Sequence, residues 1–157
     1  MDAAFQFRAA TLDDLEQLSR IAFDSKAYWG YPDGWMQAWR PLLTLAPKDL
    51  DELQIELLES SGLPCGFFAL TRTRPMTELM HLWLEPRQIG RGAGRLLADR
   101  LCECARAIGA DSIELDADPH ATGFYEHIGA RHLSKTPAPM PGAPERYLPR
   151  MRLLLDA

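Results

Sequence analysis

Basic residues are in deficit. The 157-residue chain carries 17 Lys and Arg against 22 Asp and Glu, a formal net charge of −5. Nucleic acid and anionic membranes are therefore not the expected partners, because neutralising phosphates takes a basic face. Cysteine is scarce as well. Cys65, Cys102 and Cys104 are odd in number and show no C-x-x-C spacing, which gives neither a disulfide framework nor a zinc site, so no metal is expected. They read as small apolar fillers in a reducing compartment. No apolar run approaches transmembrane length, and the N-terminus lacks a basic segment followed by an apolar stretch. The expectation is a cytoplasmic protein. Without repeats, linkers or low-complexity segments, residues 1–157 read as a single domain with a full core.

What the chain does have is one informative run, Leu82-Trp83-Leu84-Glu85-Pro86-Arg87-Gln88-Ile89-Gly90-Arg91-Gly92-Ala93-Gly94-Arg95-Leu96-Leu97. The apolar start is a buried strand, and Pro86 ends it by fixing φ and removing a donor. Three glycines follow, and an amphipathic helix begins directly after them. The first amides of a helix lack intrahelical partners and carry the positive end of its dipole, so a glycine turn feeding them makes a phosphate cradle. A dinucleotide fingerprint fails: counted from Gly90 its last place is Arg95, and from Gly92 it is Leu97. A Walker P-loop fails for want of Gly-Lys-Ser/Thr.

Read in order, Phe5 to Ala10 alternates as a half-buried strand. Thr11 caps a helix with Asp13 and Asp14 in its first turn and Leu12, Leu15, Leu18, Ile21 and Ala22 on one face. An aromatic loop, Tyr28-Trp29-Gly30-Tyr31-Pro32, leads to a second helix capped by Asp33 and carrying Trp35, Met36 and Trp39; Pro41 ends it or starts an irregular stretch. Residues 50–58 read as a strand, 65–71 as its hairpin partner and 78–84 as the strand feeding the glycines. The helix that follows stops at Gly109. Ser112 to Ala117 alternates again. Asp118-Pro119, an acidic cap with proline at the first helical position, opens a helix through Tyr125 that ends near Gly129. Ala130 to Lys135 and Tyr147 to Leu155 close the sheet, with Pro149 confined to an edge or bulge. The predicted order is β-α-α-β-β-β-α-β-α-β-β, an α/β fold with a mixed sheet and helices on both faces.

The segment Ile89-Gly90-Arg91-Gly92-Ala93-Gly94 resembles the acyl-CoA loop Q/R-x-x-G-x-G/A of the GNAT superfamily of N-acetyltransferases, with Ile89 replacing the usual Gln or Arg. Ala121 to Ala130 is similar to that family's A-x-x-L/F-Y-x-x-x-G-F, with Ala130 in place of the final aromatic, and Asp118 stands where the family often has Asn. The element order matches over nearly the whole chain. The resemblance implies a GNAT-like fold and acetyl transfer from acetyl-CoA directly to an amine acceptor, a small molecule being the expectation. A non-catalytic acyl-CoA-binding module is the alternative, and homodimer formation is left open. It also implies site residues. The backbone of Leu82, Trp83 and Leu84 would pair with the pantetheine arm. Gly90, Arg91, Gly92, Ala93, Gly94 and Arg95 would hold the pyrophosphate, with Asp118 nearby.

Tyr125 matches the tyrosine that in many members protonates the leaving thiolate. Glu78 lies where some relatives keep a general-base carboxylate. By strand alternation it shares a face with Met80, Leu82 and Leu84, whereas His81 faces the other way. Glu114 and Asp116 are held in reserve. Tyr28, Trp29 and Tyr31, with Trp35 and Trp39, are expected to wall the acceptor site, since the first two helices of such folds overhang the acyl end.

Overall fold

The computed structural model describes residues 4–156. Its elements are β1 (Phe5–Ala9), α1 (Leu15–Ala27), α2 (Asp33–Leu43), α3 (Pro47–Glu52), β2 (Leu53–Ser60), β3 (Leu63–Thr71), β4 (Met76–Leu84), α4 (Ala93–Ile108), β5 (Ser112–Asp116), α5 (Thr122–His127), β6 (Arg131–Pro137) and β7 (Tyr147–Leu154). Short 3-10 turns precede α1 and α5 and follow β4. The strands form one sheet in the order β1-β2-β3-β4-β5-β7-β6, with β4 and β5 the parallel pair.

The alternation of strand side chains divides the core into two layers. Leu58 of β2 and Phe68 of β3 point toward α4 and α5, where they meet Leu97, Leu101, Ile113 and Met151. Leu57 and Phe67, one residue away on each strand, point to the opposite face and meet Leu18, Ile21 and Met36 of α1 and α2. Leu97, Leu101 and Ala105 recur at four-residue spacing, which keeps one side of α4 on the sheet. Complete burial of such a leucine contributes about 1.5–3 kcal/mol. Gly66 allows a close approach of β3 to β4, since a Cβ there would lie 2.8 Å from a methyl of Leu84 and 2.9 Å from the Trp83 carbonyl.

Several local expectations fail, among them the cap of α2, which is Pro32 and not Asp33. Residues 50–52 are not strand but the end of α3: Pro47 takes the first helical position, and the Asp49 carboxylate accepts the Ala46 N–H at 2.7 Å. Pro41 lies inside α2 rather than ending it. The helix outlasts it by only two residues, the second of which, Leu43, is buried. Thr11 opens a 3-10 turn, and Asp14 acts there through direct bonds, accepting from the Thr11 N–H and from both terminal nitrogens of Arg8 at 2.8 Å. Pro149 sits in an interior strand, one residue beyond the last β5 pair Asp116↔Arg150, where its carbonyl accepts from the Ala117 N–H.

Candidate active site

β4 and β5 pair over three positions only: Met76 with Ser112, Thr77 with Ile113, and Glu78 with Glu114. Beyond Glu78 the two strands have no further register, although β4 continues to Leu84 and stays paired with β3. One edge of β4 therefore has unmated backbone groups, as a sheet edge does. A cleft of about 630 Å³ opens along that edge, within the usual range for a bound cofactor or substrate. Leu82, Trp83 and Leu84 line it on one side, and Leu115, Asp116, Asp118 and Tyr125 on the other.

The register of β4 shifts between Ala69↔His81 and Leu70↔Leu79, making Met80 an extra residue in a β-bulge. The bulge reverses the phase of the strand. Leu79, Leu82 and Leu84 all pack on the α4 side, while His81 and Trp83 turn to the α1 side. Glu78, next to Leu79, thus shares the α1-side face with His81, not the face of Leu82 and Leu84 that unbroken alternation predicted. Its carboxylate accepts both arms of Arg150 at 2.6 Å, and it lies outside the cleft lining. Glu114 is similarly occupied by Arg150 at 3.2 Å and Arg152 at 2.8 Å. Asp116 does line the cleft, accepting from the Thr136 hydroxyl at 2.6 Å with Arg150 3.5 Å away.

At one end of the cleft is the glycine loop. Gly90 and Gly92 have φ of +82° and +87°, conformations that a side chain disfavours. Gly92 caps α4, so the amides of Ala93, Gly94 and Arg95 in its first turn have no intrahelical acceptor. Gly90, Gly92, Gly94 and Arg95 line the cleft. Ala93 is fully buried, so only its backbone can serve there, and Arg91 is exposed and outside the lining. Ile89 also lines the cleft, supplying an apolar surface where a polar side chain is usual. The Phe124 ring closes over the loop, 3.2 Å from where a Cβ on Gly94 would stand.

Tyr125 is 7% exposed, and burial pushes its phenol well above the ordinary tyrosine range, with the negative charge of Asp118 pushing the same way. It therefore keeps its proton at neutral pH. Asp118 links three elements. It caps the 3-10 turn through the His120 N–H at 2.8 Å, and it accepts from Lys26 Nζ of α1 at 2.5 Å and from the Tyr31 hydroxyl at 2.9 Å. Burial alone would raise the Asp118 pKa, but the charge and bond of Lys26 outweigh it and hold the carboxyl below its ordinary range. For Lys26 the largest effect is burial, which lowers its pKa and which Asp118 only partly offsets.

The aromatic wall divides. Trp29 lines the cleft, stacked on the His120 ring at 5.0 Å and 5°. Tyr31 does not line it; the ring packs with Trp35 and Trp39, and Lys26 lies 4.4 Å from the centre of Trp39. Arg146 covers the same cluster, 5.1 Å from Trp39, and Tyr28 is half exposed beside Trp29. The cluster is thus mainly packing around a buried cation, with Trp29 as its cleft-facing member. Sequence reasoning missed Lys26 and His120. Nothing local to Lys26 signals a partner 92 residues away, whereas the Asp118-Pro119-His120 cap could have placed His120 in the turn before α5.

Comparison with known proteins supports the same architecture. The fold matches an N-acetyltransferase, PaiA, from Thermoplasma acidophilum in complex with coenzyme A, with a TM-score of 0.77 and 16% identity over 96% of this chain and 99% of that one. It matches the ribosomal-protein-S18-alanine N-acetyltransferase of Escherichia coli with a TM-score of 0.74 and 15% identity, covering 98% and 96% of the two chains. A third match is yncA, described as a putative acetyltransferase from Salmonella typhimurium with its cofactor acetyl-CoA, with a TM-score of 0.67, 18% identity and 99% and 96% coverage. At such identities the likeness speaks for the fold. The sequence itself goes further, because residues 12–130 match the family model described as Acetyltransferase (GNAT) family, and the chain therefore belongs to the GNAT acetyltransferases.

Proposed function

We propose that the protein transfers an acetyl group from acetyl-CoA directly to the amine of a small-molecule acceptor. The observation that carries this reading is the single cleft running from the glycine loop, along the unpaired edge of β4, to the buried hydroxyl of Tyr125. The fit to acetyl-CoA rests on the chain's own groups. The free amides at the start of α4 suit a pyrophosphate, and the positive φ of Gly92 leaves no Cβ in its way. The open backbone of Leu82, Trp83 and Leu84 suits an extended amide-bearing arm, which can add to β4 as another strand would. Arg95 supplies positive charge beside the loop, while Asp118 would act through the position it gives the start of α5.

Tyr125 is assigned the role of general acid toward the departing thiolate, consistent with a phenol held protonated by burial. Backbone N–H groups at the bulge and open edge of β4 are suited to stabilise charge on the thioester oxygen. The acceptor approaches from the α1 side, past Trp29. Incubating the protein and acetyl-CoA with benzylamine, tryptamine, spermidine, free lysine and a short peptide with a free N-terminus, and following thiol release, tests the proposal. Acetyl-CoA binding by calorimetry without thiol release above the buffer rate for any of these amines would instead identify a binding module.

A further inference from the structure

If the cleft transfers acetyl groups as proposed above, some group in it must take the proton that the acceptor nitrogen loses. Most carboxylates around it are committed. Glu78 is held by Arg150, Glu114 by Arg150 and Arg152, Asp118 by Lys26 and Tyr31, and Asp116 by Thr136 with Arg150 close by. In Glu78, Glu114 and Asp118 both oxygens already have a donor, whereas Asp116 is bonded through Oδ1 alone. His81 is committed too: its Nδ1 accepts the Trp83 indole N–H at 3.0 Å, which puts the ring proton on Nε2, and burial lowers its affinity for a second proton. It can donate from Nε2 but has no free lone pair.

We infer that His120 is the proton acceptor for the acceptor amine, held in place by its stacking on Trp29. The imidazole lines the cleft, and among the described residues neither ring nitrogen has a hydrogen-bond partner. Its backbone is fixed by the bond from its N–H to Asp118, and its ring by Trp29 on one face and by the Tyr31 ring, 5.5 Å away and inclined at 72°. Stacking on Trp29 covers one face of the imidazole and leaves its edge, which carries both nitrogens, uncovered on an exposed residue that lines the cleft. An imidazole nitrogen that carries no proton offers a lone pair to accept one. Asp118 stands beside His120 with Lys26 and Tyr31, and Arg146 lies beyond the Tyr31 ring; the Lys26–Asp118 pair cancels the nearest full charges. His127, the other cleft histidine with no bonded partner in view, lies three residues after Phe124 and so on the side of α5 that closes over the glycine loop. That is the opposite end of the cleft from Trp29.

The step balances without a further reactant. The neutral amine nitrogen bonds to the thioester carbon, and its surplus proton passes to His120, directly or through one water. The C–S bond breaks with its electron pair on sulfur, which takes the Tyr125 proton. The proton on His120 then returns through solvent to the Tyr125 phenolate, leaving the amide and the free thiol.

The test compares His120→Gln and His120→Ala with the unaltered protein, using the panel amine it acetylates fastest. Both variants should bind acetyl-CoA with unchanged affinity by calorimetry, while kcat/KM falls by about 10²–10⁴-fold. The acidic limb of the pH profile should flatten, and added imidazole should restore part of the rate in His120→Ala, which a purely structural role would not allow. Trp29→Leu, which removes the stack but keeps His120, should retain the limb at reduced kcat. A His120→Gln variant with the original rate and acidic limb would overturn the assignment of His120 alone. No transfer by the unaltered protein to any panel amine, with acetyl-CoA bound, would overturn the transferase reading and this one together.

Discussion

Glu78 and Arg150 form a two-pronged ion pair, both bonds at 2.6 Å, at the point where β4 and β5 begin to part. Each side chain is about one-fifth exposed, with Arg150 at 20% and Glu78 at 23%. Arg150 reaches from β7 across β5, touching Glu114 and Asp116 on the way, so it ties three strands at the apex of the cleft. A carboxylate bound on both oxygens in this way is a good structural clamp. Glu78→Gln should lower stability by about 1–3 kcal/mol in chemical denaturation, since it leaves a charged hydrogen bond broken. Any fall in kcat/KM should be parallel across pH. A loss concentrated at low pH would return Glu78 to the role of base.

The glycine loop makes a prediction that is independent of chemistry. Gly92 has φ +87° and empty space where a Cβ would go. Gly92→Ala should strain the backbone by about 1 kcal/mol and weaken CoA binding modestly. Gly92→Glu adds a carboxylate at the helix N-terminus, so CoA affinity should drop by more than tenfold while the protein stays folded by circular dichroism. Equal CoA affinity in both variants and the unaltered protein would remove the loop from the binding site.

Tyr125→Phe keeps the ring in its buried place and removes only the proton. We expect kcat to fall by about 10²–10⁴-fold with little change in acceptor KM. Because burial raises this phenol, the unaltered protein should show no alkaline loss of rate from Tyr125 within the normal tyrosine range. An unchanged kcat in the variant, with the chemical step rate-limiting, would make Tyr125 a packing residue.

Asp14 predicts a pH effect on stability away from the cleft. The bonds from Arg8 lower its carboxyl to about 2 from an ordinary 3.8; burial opposes the shift, and the Thr11 N–H and hydroxyl add to it. A carboxyl with a depressed folded pKa stabilises the protein above its unfolded pKa and loses that contribution as pH falls through the folded one. The contribution should be about 2 kcal/mol at neutral pH and should vanish between roughly pH 4 and pH 2. Asp14→Asn should therefore lower Tm at pH 7 but leave it nearly unchanged near pH 2, a difference that calorimetry at the two pH values measures.

The sequence by itself determined what depends on short-range pattern. The apolar run at the end of β4, the four-residue spacing of Leu97, Leu101 and Ala105 and the three glycines before them placed the strand, turn and helix that hold the donor end of the cleft. The tyrosine motif placed Tyr125 on α5. Those readings survive because hydrogen bonds and helix faces repeat over a few residues. Tertiary structure decided the rest. One bulged residue, Met80, turned Glu78 to the other face of β4, because strand alternation has period two and a single insertion inverts everything beyond it. Lys26 and Asp118 meet across 92 residues, Glu78 and Arg150 across 72, and Trp29 and His120 stack from different elements. Which carboxylates are spent on cations, and which imidazole is left with free nitrogens, follows from those long-range pairings. No local pattern encodes them, since each partner's position depends on how the whole sheet twists and where two of its strands part.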